Sequence, residues 1–161
     1  MVLLIVKILF LLLLANGGPV IAKRLLGDRL SVAVDGGRQF PDGRPWFGSS
    51  KTARGIIVSV VITALGAPMI GYPWQIGALF GIAAMGGDLV SSFIKRRLGL
   101  APSSRAIGLD QIPESALPML VCWQALGLTP AIAMVVLVVF LVGELLLSKL
   151  LFRLNVRDRP Y

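Results

Sequence analysis

The chain of 161 residues contains no histidine and a single cysteine, Cys122. The first absence excludes imidazole general bases, phosphohistidine intermediates and His-rich metal sites. The second excludes an intrachain disulfide and gives no sign of a redox site. Acidic residues are scarce too: eight stand against 16 lysines and arginines, for a formal net charge of +8. That balance points to anionic partners such as lipid headgroups or nucleotide phosphates. Nucleic acid fits poorly, because the basic residues are tied to the ends of apolar runs.

Apolar residues are abundant instead. They make up 56% of the chain, and the mean hydropathy is +0.83. The excess lies in long runs, which points to a bilayer rather than a soluble core. Five segments stand out: residues 2–15 (extendable through Pro19 to Ala22), 55–72, 73–94, 112–128 and 130–152. A spanning helix needs about 20 residues, so the second and fourth are short and expected to be thin or tilted. The expectation is an all-α integral membrane protein, one domain over residues 1–161, with about five transmembrane helices and a long loop between the first two.

Charge then sets the topology. Of the 16 basic residues, 15 fall in three regions: the loop 16–54, the loop after the third segment (Lys95, Arg96, Arg97, Arg105), and the C-terminal end (Lys149, Arg153, Arg157, Arg159). Five spans place all three regions on one face, and the positive-inside rule makes that face cytoplasmic, with the N-terminus outside. Tyr72 and Trp74 suit an interfacial anchor on the opposite face. A signal peptide is the competing reading of the first segment. It is disfavoured because a basic n-region is nearly absent and cleavage would strand the basic loop on the wrong side.

Polar residues inside the apolar runs are costly and therefore informative. Asp88 stands seven residues before Lys95, and Asp88, Ser91, Ser92 and Lys95 share one helical face. Gly77, Gly81 and Ala84 continue that stripe, where small residues let a second helix approach. A plain ion pair holding helices together is the alternative role for Asp88. Asp110 and Glu114 flank Pro113 as ordinary helix-start residues do, yet they also lie at the basic face, where phosphates could bind with a metal. Glu144, one turn before Ser148, reads best as an interhelical hydrogen bond or an oligomer contact.

The first loop combines Asp35-Gly36-Gly37, Asp42-Gly43-Arg44 and Gly48-Ser49-Ser50-Lys51-Thr52-Ala53-Arg54-Gly55. Glycines permit close backbone approach. Lys51, Arg54 and the hydroxyls could grip phosphate beside the start of the next helix. Walker spacing is absent, so no P-loop is assigned. A headgroup-facing anchor is the alternative, but it has no use for Asp35 and Asp42.

These residues together resemble a known family. Asn16 and Pro19, the two Asp-Gly pairs, the 48–55 stretch, Gly87-Asp88-Leu89 with Ser92-Phe93-Ile94-Lys95-Arg96-Arg97, and Leu109-Asp110-Gln111-Ile112-Pro113-Glu114 are similar to CDP-archaeol synthases, and more distantly to CDP-diacylglycerol synthases. The likeness runs over about residues 14–120. It implies cytidylyl transfer from CTP to a membrane lipid phosphate, with release of pyrophosphate and use of Mg²⁺. On that basis Lys51, Asp88, Lys95 and Asp110 are the expected catalytic residues. Asp35, Asp42, Arg44, Lys51, Thr52, Arg54, Ser92 and Arg96 are the expected nucleotide and phosphate contacts, and Asp88, Asp110 and Glu114 the expected metal ligands. One departure stands out: the bacterial diacylglycerol enzymes carry a Lys-Asp pair where this chain has Leu100-Ala101-Pro102-Ser103.

The chemistry suits the composition. A lipid phosphate is already ionised, so no general base is needed and the missing histidine is harmless. In-line positioning and charge neutralisation suffice. Two other classes compete. A small ion or solute transporter would use Asp88 and Glu144 as intramembrane ligands, but it would not require the organised loop. A CDP-alcohol phosphotransferase would need a run of aspartates at helical spacing, which the sequence lacks.

Overall fold

A helix that is apolar on every side has no face to offer water, and it must be buried in protein or in lipid. The computed structural model resolves this chain into such helices. It describes residues 1–104 and 106–153, with side chains not described over 147–153. Arg105, Arg157 and Arg159, and the side chains of Ser148, Lys149 and Arg153, therefore lie outside the described residues. Six helices form among those described: α1 (Val2–Leu26), α2 (Ala53–Met69), α3 (Trp74–Arg97), α4 (Gln111–Val121), α5 (Trp123–Leu126) and α6 (Pro130–Arg153). Among the described residues β structure is confined to two isolated bridges, Ala33 with Thr52 and Gln39 with Pro45.

The helices share a core of Ile8, Leu11 and Leu12 from α1, Phe80 from α3, Met119 from α4, and Val136 and Phe140 from α6. Other apolar side chains point outward, including Leu3, Val6 and Leu13 of α1, Ile57, Val61 and Leu65 of α2, and Met134 and Val138 of α6. An outer surface of this kind belongs in a bilayer. Helices α1 and α3 are long and apolar enough to cross a membrane on their own, whereas α2 and the described part of α6 are shorter apolar helices.

Helix α3 is central, and its glycines are the reason. A methyl at Gly77 would overlap the backbone of Thr63 and stand 2.7 Å from Ala67 Cβ; one at Gly81 would collide with the Thr63 hydroxyl and lie 3.0 Å from Val60 Cα. The small-residue stripe expected to receive a helix thus receives α2. There Thr63 is fully buried and turns its hydroxyl back to Ser59 O at 2.7 Å.

Two boundaries differ from the sequence reading. Helix α1 runs through Pro19, as the extended bounds allowed, and continues past Ala22 to Leu26, so Lys23 and Arg24 sit in its last turn. Proline forfeits one intrahelical bond without preventing continuation in an apolar setting, and the Asn16 amide donates to Leu12 O of the same helix. The 112–128 segment is not one unbroken helix. Pro118 lies inside α4, and the chain loosens at Cys122 (φ −97°, ψ 14°) before the single turn of α5 ends at left-handed Gly127.

Candidate active site

The loop between α1 and α2 is fixed by its own acids. Asp35 accepts backbone N–H groups from Gly48 at 2.8 Å, Phe47 at 3.0 Å and Gly37 at 3.0 Å. Burial raises its pKa, but the three N–H donors outweigh that and leave it below the usual carboxylate value. Asp42 accepts from Arg44 N at 3.0 Å and pairs with Arg97 at 2.6 Å. Arg97 also covers the rings of Phe40 and Phe93 at 4.6 and 5.0 Å, and donates to Pro45 O. Arg44 reaches the carbonyls of Arg96 and Arg97, which end α3. The loop is thereby bolted to the C-terminus of α3.

This framework sets part of the expected nucleotide site apart from the rest. Asp35, Asp42 and Arg44 do not line the cavity described next. Each is committed to loop structure, because a glycine-rich loop of this length needs side-chain acceptors and donors to replace missing ladder bonds. Arg54 does line the cavity, but its Nη1 is engaged by the carbonyls of Gly27 and Arg29.

The loop delivers Lys51 to α3. Backbone bonds Val34 N to Lys51 O (2.8 Å) and Ala53 N to Val32 O (2.9 Å) hold the lysine's main chain, and Thr52 caps α2 by accepting Gly55 N at 3.2 Å. The Lys51 ammonium then meets both carboxylate oxygens of Asp88, at 2.5 and 2.6 Å. A second pair lies nearby. Lys95 Nζ stands 2.6 Å from Asp110 Oδ1 and donates to Ser104 O at 3.1 Å, although that Oδ1 has no partner in hydrogen-bond geometry. The other oxygen of Asp110 accepts Ala106 N at 2.9 Å.

Both pairs open on one cavity of about 1190 Å³. Lys51, Thr52, Arg54, Asp88, Ser92, Lys95, Arg96, Asp110 and Glu114 all line it, so the structure brings together nine of the expected residues. Several polar atoms in its wall have no partner. They include Ser92 Oγ, Glu114 Oε1, and Nε and Nη1 of Arg96, whose residues are 1%, 6% and 3% exposed. Buried polar atoms without partners are rare, and each calls for a water, an ion or a ligand. Ser91, expected on the same face, is buried and bonds back to Asp88 O. Apolar side chains line the cavity as well, among them Pro19 and Val20 of α1, Leu89 of α3 and Leu145 of α6.

Several lining residues escaped the sequence reading, four charged or polar ones among them. Asn16 was noted only as a motif, Lys23 and Arg24 only as charge, and Glu144 as a packing residue. For Glu144 the signal existed, since a carboxylate inside an apolar helix is a functional candidate by default.

A family model described as CarS-like, CDP-archaeol synthase, matches residues 68–161. A CDP-archaeol synthase of Sulfurisphaera tokodaii is 33% identical over 157 residues, covering 92% of this chain and 90% of that protein. The chain belongs to the CDP-archaeol synthase family. A second member, from Thermococcus onnurineus, is 42% identical over 109 residues, 61% of each chain. Among solved structures, an intramembrane enzyme for archaeal membrane lipid biosynthesis superposes with a TM-score of 0.72 at 25% identity, covering 86% of this chain and 90% of that one. The family's fold is therefore membrane-embedded and helical, as the sequence implied. Membership also disfavours the transporter reading.

Proposed function

We propose that the chain transfers the cytidylyl group of CTP to the phosphate of a membrane lipid, forming a CDP-lipid and pyrophosphate. The observation that carries this reading is the mixed lining of the cavity. Lysines and carboxylates share it with apolar side chains of α1, α3 and α6, so a water-borne polyphosphate and a lipid phosphate can meet there. A non-bridging oxygen of the lipid phosphate attacks the α-phosphorus. The bond from that phosphorus to the oxygen bridging to the β-phosphate breaks, and pyrophosphate leaves with the electron pair. No proton needs to be removed, in keeping with the absence of histidine.

Lys51 and Lys95 suit the charge that moves onto the pyrophosphate. In this structure each is docked on an aspartate. Transfer of the lysines to phosphate would release Asp88 and Asp110 as hard oxygen ligands. Among the described residues no three acidic, His or Cys side chains form a ready metal cluster. Mg²⁺ nonetheless fits, because it commonly takes one or two carboxylates with phosphate and water completing the shell. Asp88 and Asp110 would hold it, and when bound it supplies charge neutralisation at the reacting phosphates. Glu114, expected beside them, lines the same cavity and has no lysine docked on it among the described ion pairs.

The preference for CTP rests on family membership. The test is to offer purified protein CTP or ATP, Mg²⁺, and lipid phosphates with ether or ester chains, and to identify products by mass spectrometry. The expected product is a CDP-lipid, formed more readily than any ADP-lipid. Equal use of ATP would remove the CTP preference, and absence of any nucleotidyl lipid would remove the reading.

We further propose an outside N-terminus, with the loops and C-terminus cytoplasmic. The support is that Lys23, Arg24, Arg54, Lys95 and Arg96 line one cavity, whereas Lys7 packs over Tyr72 at the turn between α2 and α3. Ser49 and Ser103 are exposed and the native Cys122 is buried. Cysteines placed at those two serines should react with an impermeant thiol reagent only after the inner face is opened. Labelling of intact cells would invert the topology.

A further inference from the structure

Helix α3 carries one exposed stripe. Leu79, Ile82 and Val90 are 41%, 56% and 48% exposed and fall on one side of the helix, whereas Phe80, Ala84 and Ser91, turned away from them, are buried. The stripe belongs to the apolar outer surface that meets lipid. Helical periodicity carries it on to Phe93 and Arg97, and there the loop between α1 and α2 comes to rest on it. Phe40 meets Phe93 edge-on at 5.5 Å and Trp46 at 4.9 Å, and Trp46 lies 5.8 Å from Phe93. Arg97 would be an expensive residue on a lipid-facing stripe if its charge stood alone. That charge is met by Asp42 at 2.6 Å and by the rings of Phe40 and Phe93 at 4.6 and 5.0 Å. Trp46 keeps more than one-third of its surface exposed.

We propose that Phe40, Trp46 and Phe93, with Arg97 among them, anchor this loop in the headgroup boundary of the bilayer, so that it is a membrane-surface element and not a flap in water. Continuity with the lipid-facing stripe names the partner. Length agrees with it. Trp74, 59% exposed, opens α3 at its other end, and nineteen residues separate it from Phe93. Their rise is about 28 Å, close to the roughly 30 Å of a hydrocarbon core. Aromatic side chains therefore stand at both ends of one span, at the two depths where tryptophan is favoured. Exposed Arg38, whose carbonyl accepts Trp46 N at 3.4 Å, brings a positive charge beside the cluster that suits lipid phosphates. Trp46 precedes Lys51 by five residues, so the anchor also sets the depth of the lysine that meets Asp88. The cavity would then open at headgroup level, where a lipid phosphate lies. That consequence rests on the cytidylyl-transfer reading; the anchor does not.

The test is Trp46 fluorescence in the full chain, held in phosphatidylglycerol nanodiscs, with Trp74→Phe and Trp123→Phe removing the other two tryptophans. The emission should be blue-shifted. It should be strongly quenched when the acyl chains carry bromine near their headgroup end, weakly when the bromine lies near the methyl end, and little by acrylamide in the water. Full quenching by acrylamide with none by brominated lipid would overturn the anchor and leave the cluster as loop packing in water. Strongest quenching by bromine at the methyl end would overturn it too, by placing the ring in the hydrocarbon. Trp123 packs against the core, so the double variant has a companion that needs no such change. Fluorotryptophan is built into the natural chain and the Trp46 signal assigned with Trp46→Phe. Fluorine NMR should then show that signal broadened by a paramagnetic lipid headgroup and spared by a paramagnetic agent in the water; the reverse pattern would sink the anchor. Neither measurement uses a substrate. A chain that passes both but makes no CDP-lipid would remove the transfer reading and spare this one.

Discussion

Exchange of Asp88 for asparagine is expected to lower CDP-lipid formation by ~10²–10³-fold or more, the scale seen when one preorganised electrostatic group is removed from an active site. The substitution keeps the size of the side chain and removes its charge. Asp88 is the dock for Lys51, at 2.5 and 2.6 Å, and both side chains are about one-fifth exposed. Lys51 can therefore relax into the cavity, so the fold should survive and the loss should be chemical. Lys51→Met should give a comparable loss. If lysine and aspartate act together on one triphosphate, the double variant should be little worse than either single one, because residues acting as a unit are not additive. Raised Mg²⁺, or Mn²⁺ in its place, should recover part of the Asp88→Asn activity. Full activity with unchanged Mg²⁺ dependence would reduce Asp88 to a helix-packing ion pair.

What the sequence made legible divides along physical lines. The membrane class followed from long apolar runs, whose energetics depend on composition alone. The stripe of Gly77 and Gly81 followed from helical periodicity, and α2 fills it. Asp88 stood out because a carboxylate inside an apolar run is expensive; Lys51, Lys95 and Asp110 were expected beside it from the family resemblance, and all four line the cavity. The loop was harder. Asp35, Asp42 and Arg44 looked like phosphate contacts, since the same residue types that bind phosphate also replace missing backbone bonds, and only tertiary geometry tells the two uses apart. The last turn of α1 was harder to bound, because Lys23 and Arg24 end its apolar run and yet the helix carries them to Leu26. Glu144 was under-read for a related reason. Its place in α6 was visible, but its position in the wall of the cavity depends on how α6 packs on the other helices.

Gly87→Ala is expected to damage the protein more than its size suggests, and Gly86→Ala beside it to do almost nothing. A methyl at Gly87 would overlap the carbonyl group of Pro113 and come within 2.7 Å of Glu114 Cα. Those are backbone atoms, with no flexible side chain to yield, so α3 and α4 must separate. Overpacking costs typically ~1–3 kcal/mol, occasionally more, and a collision with backbone belongs at the upper end. The consequence for function is larger. Gly87 precedes Asp88, and the chain it touches follows Asp110 by three and four residues, so this one contact sets the spacing of the two aspartates. A shift of about 1 Å in positioned groups can cost ~10²-fold in rate. At Gly86 the nearest atom is Leu117 Cδ2 at 3.4 Å, the free end of a side chain. Alanine there should be neutral or gain up to ~1 kcal/mol from helix propensity. The measurement is thermal stability of both variants in detergent, with CDP-lipid formation below the melting temperature. Gly87→Ala should melt earlier and remain poorly active even where it is folded. Equal stability and activity in the two variants would mean that α4 can slide along α3 without disturbing Asp88 and Asp110, and the close approach at Gly87 would carry no catalytic weight.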